Sequence, residues 1–285
     1  MTQQNATILN GNALAKKIRA SLKENISTLR KKPGLAIILI GRDEPSHMYV
    51  RLKKKACEEV DINIHQYLFT EEATQKEILE TMRFLNQDDD IHGMIVQLPL
   101  PKKFNESAII KAIAPKKDVD GFHPLNTLAI KQGKPKIIPG LALAIMRLIK
   151  SADQPIEGKN AIIVSNSKIF SAPLVYLLSK EGVEARYTSP KNTHTAKKIS
   201  EADIIIIAVG KPKFIKKTGV KDNAIIIDVG INRTKHAKIT GDVDTAMRER
   251  NVFLTPVPGG VGPVTVAMLL YNTYLLAKKD TENQG

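Results

Sequence analysis

Ser46, Tyr49 and Lys53 stand at positions i, i+3 and i+7, a spacing that places all three on one face of a helix. A lysine among polar and aromatic neighbours in a cleft is partly stripped of water. Its pKa falls, and the free amine can then take or give a proton near neutrality. The plainer reading is a solvated helix with Lys53, Lys54 and Lys55 all at the surface, and spacing alone favours it. Two other segments bear on the choice. The run GMIVQLPL (93–100) leaves the neutral amide of Gln97 near its carboxyl end, followed by Leu98, Pro99, Leu100 and Pro101. The run Lys117-Asp118-Val119-Asp120-Gly121 sets two carboxylates before a turn. An aspartate there can accept paired hydrogen bonds from an amino-pyrimidine ring. Taken singly, each segment is an ordinary turn or cap.

The elements that must position these residues follow from periodicity. Leu14, Ile18, Leu22, Ile26 and Leu29 recur at helical spacing, so 11–31 reads as an amphipathic helix ended by Pro33-Gly34. LAIILIG (35–41) is a continuous apolar run with a glycine stop, the pattern of a buried parallel strand. A helix over about 46–59, a strand over 62–69, a helix over 74–86 and the strand 93–100 continue the alternation of an α/β layer fold. The helix with Lys53 thus follows a strand directly, at the carboxyl end where open α/β sheets bind ligands. After Gly133 the pattern restarts. NAIIVS (160–165), VEARYT (183–188), ADIIIIAV (202–209) and NAIIIDVG (223–230) are strand candidates of a separate Rossmann-like sheet. The stretch 140–150 reads as helical, and a last helix over about 263–278 follows the turn PGGVGP.

Composition narrows the function class. The 285 residues are 42% hydrophobic and 25% charged, with a net charge of +14, the balance of a globular protein. The basic residues are spread along the chain, there is no tryptophan, and 5% of residues are aromatic. Base-stacking surfaces are therefore scarce and no nucleic-acid partner is expected. The excess charge suits solubility and the capture of an anionic small molecule. No apolar run reaches the roughly 18 residues needed to span a bilayer, so no membrane role is expected. The start MTQQNATILNG lacks a signal-peptide pattern. Cys57 is the only cysteine, which rules out an intrachain disulfide and points to a reducing, cytoplasmic setting. The six histidines are scattered, none at ligand spacing with Cys57, and no metal site is expected.

Together the stretches SHMYVRLKKKACEEV (46–60), GMIVQLPLP (93–101), APKKDVDGF (114–122), IIDVGIN (226–232), GDVD (241–244) and TPVPGGVGPVTVAMLLYNT (255–273) resemble the bifunctional methylenetetrahydrofolate dehydrogenase/cyclohydrolase family. The resemblance runs from about residue 8 to residue 276. It implies two α/β domains with a cleft between them: a catalytic, folate-binding domain (1–140 and 265–285) and a Rossmann-like cofactor domain (141–264), the last helix returning to the first. It implies oxidation of 5,10-methylene-tetrahydrofolate to the methenyl form with NADP, then hydrolysis to 10-formyl-tetrahydrofolate, in the one-carbon supply that serves purine biosynthesis. Tetrahydrofolate one-carbon derivatives are the implied partners, and a homodimer the implied assembly. Lys53 matches the catalytic lysine, and Gln97 the glutamine that hydrogen-bonds it and helps hold it neutral. Tyr49 matches the tyrosine that lies on the folate, and Asp120 the carboxylate that binds the pterin. Ser46, Leu98, Pro258, Gly259 and Gly260 fall to the substrate side as well. Ser165, Asn166, Ser167, Ile169 and Ile231 fall to the dinucleotide.

The dinucleotide side departs from the family's pattern. Where the family has Gly-Arg-Ser-x-x-x-Gly-x-Pro, this chain reads Ser165-Asn166-Ser167-Lys168-Ile169-Phe170-Ser171-Ala172-Pro173. Two glycines that serve the turn and close backbone approach become serine. The arginine that would pair with the 2′-phosphate becomes Asn166, with Lys168 two residues along. Thr188-Ser189-Pro190-Lys191-Asn192 and Pro139-Gly140-Leu141-Ala142 also differ from the usual His-Ser-x-Thr and Pro-Cys-Thr-Pro. The expectation is a strained turn or a displaced pyrophosphate, with NAD in place of NADP or weakened binding. An enzyme that keeps only the cyclohydrolase step is the alternative.

Overall fold

The structure, a computed structural model, describes residues 5–233 and 239–283. In chain order β1 (Thr7–Ile8) and α1 (Gly11–Ser27) lead into β2 (Gly34–Ile40), α2 (Glu44–Glu59), β3 (Asn63–Phe69), α3 (Gln75–Gln87), β4 (Gly93–Val96), α4 (Glu106–Lys111), α5 (Pro124–Lys131) and α6 (Gly140–Lys150). There follow β5 (Asn160–Ser165), α7 (Lys168–Lys180), β6 (Glu184–Thr188), α8 (Thr195–Glu201), β7 (Ile204–Ala208), β8 (Ile225–Asp228), β9 (Asn232–Arg233), β10 (Ile239–Thr240), a 3-10 turn (Thr245–Glu249), β11 (Phe253–Leu254) and α9 (Val261–Asn283). By contacts the chain forms two compact units, Lys16–Gly140 with Val266–Gly285, and Met1–Ala15 with Leu141–Thr265.

The first unit holds a parallel sheet of order β3-β2-β4. Its central strand explains the unbroken apolar run: alternate residues feed opposite faces. Leu35, Ile37 and Leu39 share one core with Leu22 and Ile26 of α1, Val50 and Cys57 of α2, and Leu269, Leu270 and Tyr274 of α9. Ala36, Ile38 and Ile40 share the other with Ile78, Met82 and Leu85 of α3. The last helix thus does return to this core. Strand 93–100 stops early, at Val96. The Gln97 N–H still donates to the Ile38 carbonyl at 2.8 Å, but Pro99 and Pro101 have no N–H with which to extend the ladder. Helix 11–31 likewise ends at Ser27, where the Ser27 and Thr28 hydroxyls donate to the carbonyls of Glu24 and Asn25.

The second unit holds a parallel six-stranded sheet of order β1-β11-β8-β7-β5-β6. Its central strands β5, β7 and β8 are isoleucine-rich and buried on both faces, as a doubly covered Rossmann-type sheet requires. The amino-terminal residues belong here rather than with the first unit, because Thr7–Ile8 pairs in parallel with Phe253–Leu254. Two-residue strands carry no periodicity of their own, so β1 and β11 have no sequence signature. No helix among the described residues is long and apolar enough to cross a membrane.

Candidate functional site

The chemistry of the first unit gathers at the carboxyl end of its sheet. Asp43 caps α2 by accepting from the Ser46 N–H at 3.0 Å, and Pro45 sits in the first turn, a strong local start signal. Ser46 is buried, and its hydroxyl donates to the same Asp43 carboxylate at 2.7 Å. Ser46 therefore fixes the beginning of the helix whose later turns carry Tyr49 and Lys53. Both are half-buried, whereas Lys54 and Lys55 are exposed. The fully solvated reading of this helix fails at the residue that matters.

Lys53 Nζ donates to Gln97 Oε1 at 2.9 Å, and Gln97 Nε2 donates to the Leu98 carbonyl at 2.7 Å. The amide is thus locked with its oxygen toward the lysine. Burial lowers the Lys53 pKa against the opposing pull of Asp120. Burial raises Asp120, with Asp118 adding to the rise and Lys53 opposing it. Each group's ordinary charge is disfavoured by burial and restored in part by the other, so a proton is cheaply moved at this site. One turn beyond Lys53, burial pushes the Cys57 thiol up to about 12, which leaves it a packing residue.

The two carboxylates of the Asp118–Asp120 segment have different work. Asp118 is buried and accepts from the N–H groups of Gly121 at 3.0 Å and His123 at 2.8 Å and from Asn126 Nδ2 at 2.9 Å. It builds the turn, and the half-buried Asp120 is the one presented. Leu98 is half-buried in the same unit.

In the second unit the serine substitutions take an unexpected form. Ser165 and Ser171 are buried. Their hydroxyls lie 3.2 Å apart, and both donate to the Ser167 carbonyl, at 2.9 and 3.0 Å. The Ser165 hydroxyl also accepts the Ser167 N–H at 3.0 Å. No residue from Ser165 to Ser171 has positive φ. The expected strain is absent, because the hydroxyls turn inward and clamp the turn instead of filling its outer face. Ser167 then caps α7 by accepting from the Phe170 N–H at 3.2 Å. Asn166 Nδ2 reaches the Val209 carbonyl at the end of β7 at 3.2 Å.

Beside this turn two buried aspartates interlock. Asp242 accepts from the consecutive N–H groups of Val209, Gly210 and Lys211, at 2.7, 3.1 and 2.8 Å, and from Asn232 Nδ2 at 2.9 Å. Asp228 accepts from Gly230, Asp242 and Val243 at 2.9–3.0 Å. Burial nonetheless raises Asp228 to about 6. A Cβ on Gly241 would lie 1.9 Å from Asp228 Oδ2, so only glycine fits. The pair fixes the loops that end β7 and β8, including Ile231. Ile169 and Ile231 stand 68% and 58% exposed, apolar side chains at the strand ends where Rossmann sheets take their ligands. An inward serine clamp, an open helix start and two exposed isoleucines fit a dinucleotide. Pro258, Gly259 and Gly260 form the turn before α9. A Cβ on Gly260 would lie 2.5 Å from the Pro256 carbonyl oxygen, and the Gly259 carbonyl accepts the Asn12 N–H at 3.1 Å, so tight backbone packing already accounts for these glycines. Sequence reasoning misses Asp43, Asp228 and Asp242 as organisers, although the last two lie in stretches that carry the resemblance.

Residues 9–120 match the catalytic domain of the tetrahydrofolate dehydrogenase/cyclohydrolase family, and residues 139–281 its NAD(P)-binding domain. The bifunctional protein FolD of Acetivibrio thermocellus is 42% identical over 277 residues, covering 96% of this chain and 97% of that protein. The FolD of Geobacillus thermodenitrificans is 42% identical over 278 residues, covering 96% and 98%. Among solved structures, the methylenetetrahydrofolate dehydrogenase/cyclohydrolase FolD of Campylobacter jejuni superposes with a TM-score of 0.92 at 40% identity, covering 96% of this chain and 99% of that one. That of Trypanosoma brucei, complexed with NADP and an inhibitor, has a TM-score of 0.90 at 30% identity, covering 97% and 98%. With both domains matched in order and nearly the whole chain covered, this protein belongs to the tetrahydrofolate dehydrogenase/cyclohydrolase family.

Proposed function

We propose that the chain oxidises 5,10-methylene-tetrahydrofolate to 5,10-methenyl-tetrahydrofolate with NADP and hydrolyses the product to 10-formyl-tetrahydrofolate. The observation that carries the reading is the Lys53–Gln97 hydrogen bond of 2.9 Å beside Asp120. Gln97 accepts from the amine and so aims the remaining Lys53 valences away from itself. The lowered pKa keeps a neutral fraction of that amine. In the hydrolytic step the neutral amine takes a proton from the water that attacks the methenyl carbon. The resulting ammonium returns it to the ring nitrogen as the carbon–nitrogen bond opens. Asp120 accepts from the pterin's N–H groups and places the one-carbon unit next to Lys53. Tyr49 and Leu98 give the ring apolar contact, and Ser46 holds the helix start. NADP, when bound, supplies the hydride acceptor for the first step. Ser165, Ser167 and Asn166 shape the turn that would hold it, and the exposed Ile169 and Ile231 would offer it apolar contact. The cyclohydrolase-only alternative rests on strain in this turn and on the loss of a charged 2′-phosphate partner at Asn166; no residue of the turn has positive φ, and the match of residues 139–281 to the family's NAD(P)-binding domain speaks for the two-step reaction. The cytoplasm, a homodimer and supply of 10-formyl-tetrahydrofolate to purine synthesis complete the reading, on the family resemblance and the single buried cysteine.

Thermal unfolding tests the dinucleotide half. NADP at about 100 times its Kd should stabilise the protein by about 2.7 kcal/mol, a shift of several degrees in the melting temperature. No shift with either dinucleotide at millimolar concentration would remove the dehydrogenase from the reading.

A further inference from the structure

The geometry points to Asn272 as a positioning residue that sets the place of Asp120 and thereby the affinity for the folate ring. Asn272 is a buried polar residue on α9, 4% exposed; its neighbour Thr273 is buried too but spends its hydroxyl on the Leu269 carbonyl of the same helix, whereas Asn272 reaches out of the helix. Its Nδ2 donates both hydrogens, to the Val119 carbonyl at 2.8 Å and to the Ile138 carbonyl at 2.9 Å. Val119 is the residue before Asp120. On the other side, Asp118 holds the Gly121 and His123 N–H groups. Asp120 is thus suspended between two grips, one from its own turn and one from a helix some 150 residues later in the chain. Among the described residues, Asn272 is the only side chain that donates to the Val119 carbonyl.

An amide is costly in an apolar core unless its hydrogen bonds have a use. For α9 alone the position asks for a leucine, since Leu269 and Leu270 pack the same core. Removing the amide would take this donor from the buried Val119 carbonyl and from the partly buried Ile138 carbonyl. The 119–120 backbone would shift to find water, and the carboxylate would leave its place beside Lys53. Geometry at a binding group is unforgiving on this scale. The inference rests on Asp120 being the pterin's acceptor, and the test separates the two claims.

Five full-length variants decide it: Asn272→Ala, Asn272→Ser, Asp120→Ala, His92→Ala and the double variant Asp120→Ala/Asn272→Ala. His92 is the control. It is buried in the same unit, and its Nδ1 accepts the Gly34 N–H at 3.0 Å at the amino end of the sheet, opposite Gln97. Tetrahydrofolate binding is read by calorimetry, and KM and kcat by hydrolysis of methenyl-tetrahydrofolate. Asn272→Ala should raise Kd and KM about tenfold, the cost of one misplaced charged contact, with kcat changed less than about threefold. Asn272→Ser, which keeps one donor and folds more readily, should fall between. His92→Ala should lower the melting temperature with KM unchanged. The double variant Asp120→Ala/Asn272→Ala should bind no worse than Asp120→Ala, because both act through one group. Wild-type KM in both Asn272 variants, or effects that multiply in the double variant, would overturn the role of Asn272. Wild-type affinity in Asp120→Ala would instead overturn the reading of Asp120 on which it stands.

Discussion

Lys53→Met is expected to lower hydrolysis of methenyl-tetrahydrofolate by about 10²–10⁴-fold, the range of a lost general acid–base group, while the protein stays folded. The sign of the stability effect follows from linkage. Lys53 is a base whose folded pKa lies below its unfolded value. The unfolded chain therefore binds more protons between the two values, and the contribution is unfavourable at every pH below the unfolded pKa. At neutral pH the buried amine opposes folding. Methionine of similar shape removes that opposition, and Asp120, already raised, can take up a proton once its cation is gone. The melting temperature should hold or rise as activity disappears. In the wild type, kcat/KM for hydrolysis should increase with pH through the lowered Lys53 pKa, and the residual rate of Lys53→Met should lack that limb. A folded variant with near-normal hydrolysis, or one that keeps the rising limb of the wild-type profile, would remove Lys53 from the mechanism.

Asp242→Ala is expected to be the most destabilising single change in the six-stranded unit. It strips the acceptor from three consecutive backbone N–H groups and from Asn232. These donors lie in a partly buried loop, and each one left unpaired away from water costs about 1–3 kcal/mol. Partial relief by water brings the expected total to about 3–5 kcal/mol, the upper end for point mutants. The loops ending β7 and β8 lose their common anchor, so NADP protection against heat should vanish. Hydrolysis, whose proposed residues lie in the other unit, should persist at low temperature. Denaturant unfolding and NADP titration of one preparation check both halves. A variant within about 1 kcal/mol of wild type would show that the interlock is decorative.

Much of this was legible in the sequence, for reasons that differ by element. The strand 35–41 was readable because a central parallel strand must be apolar on both faces, and its residues do divide between two cores. The Ser46/Tyr49/Lys53 face was readable from helical spacing. Its partner Gln97 was placed only by resemblance, since the two residues are 44 apart in sequence. The strands β1, β9, β10 and β11 were not readable: two residues carry no period, and pairing alone makes them strands. The serine turn was misjudged for a sharper reason. A serine in place of glycine says that a Cβ is present but not where its hydroxyl points. Ser165 and Ser171 aim at each other and at one carbonyl, Ser167, and so convert an expected defect into a clamp. Asp43, Asp118, Asp228, Asp242 and Asn272 belong to the same class: organisers whose partners are backbone groups, invisible to side-chain pattern.

The most direct test of the central claim is to give one purified preparation 5,10-methylene-tetrahydrofolate with NADP and follow reduced dinucleotide, methenyl-tetrahydrofolate and 10-formyl-tetrahydrofolate together, beside a parallel sample of Lys53→Met. The account predicts NADPH and 10-formyl-tetrahydrofolate in equal amounts from the wild type, with no 10-formyl product beyond the spontaneous rate from the variant. Hydrolysis of added methenyl-tetrahydrofolate by a wild type that reduces neither NADP nor NAD would contradict it.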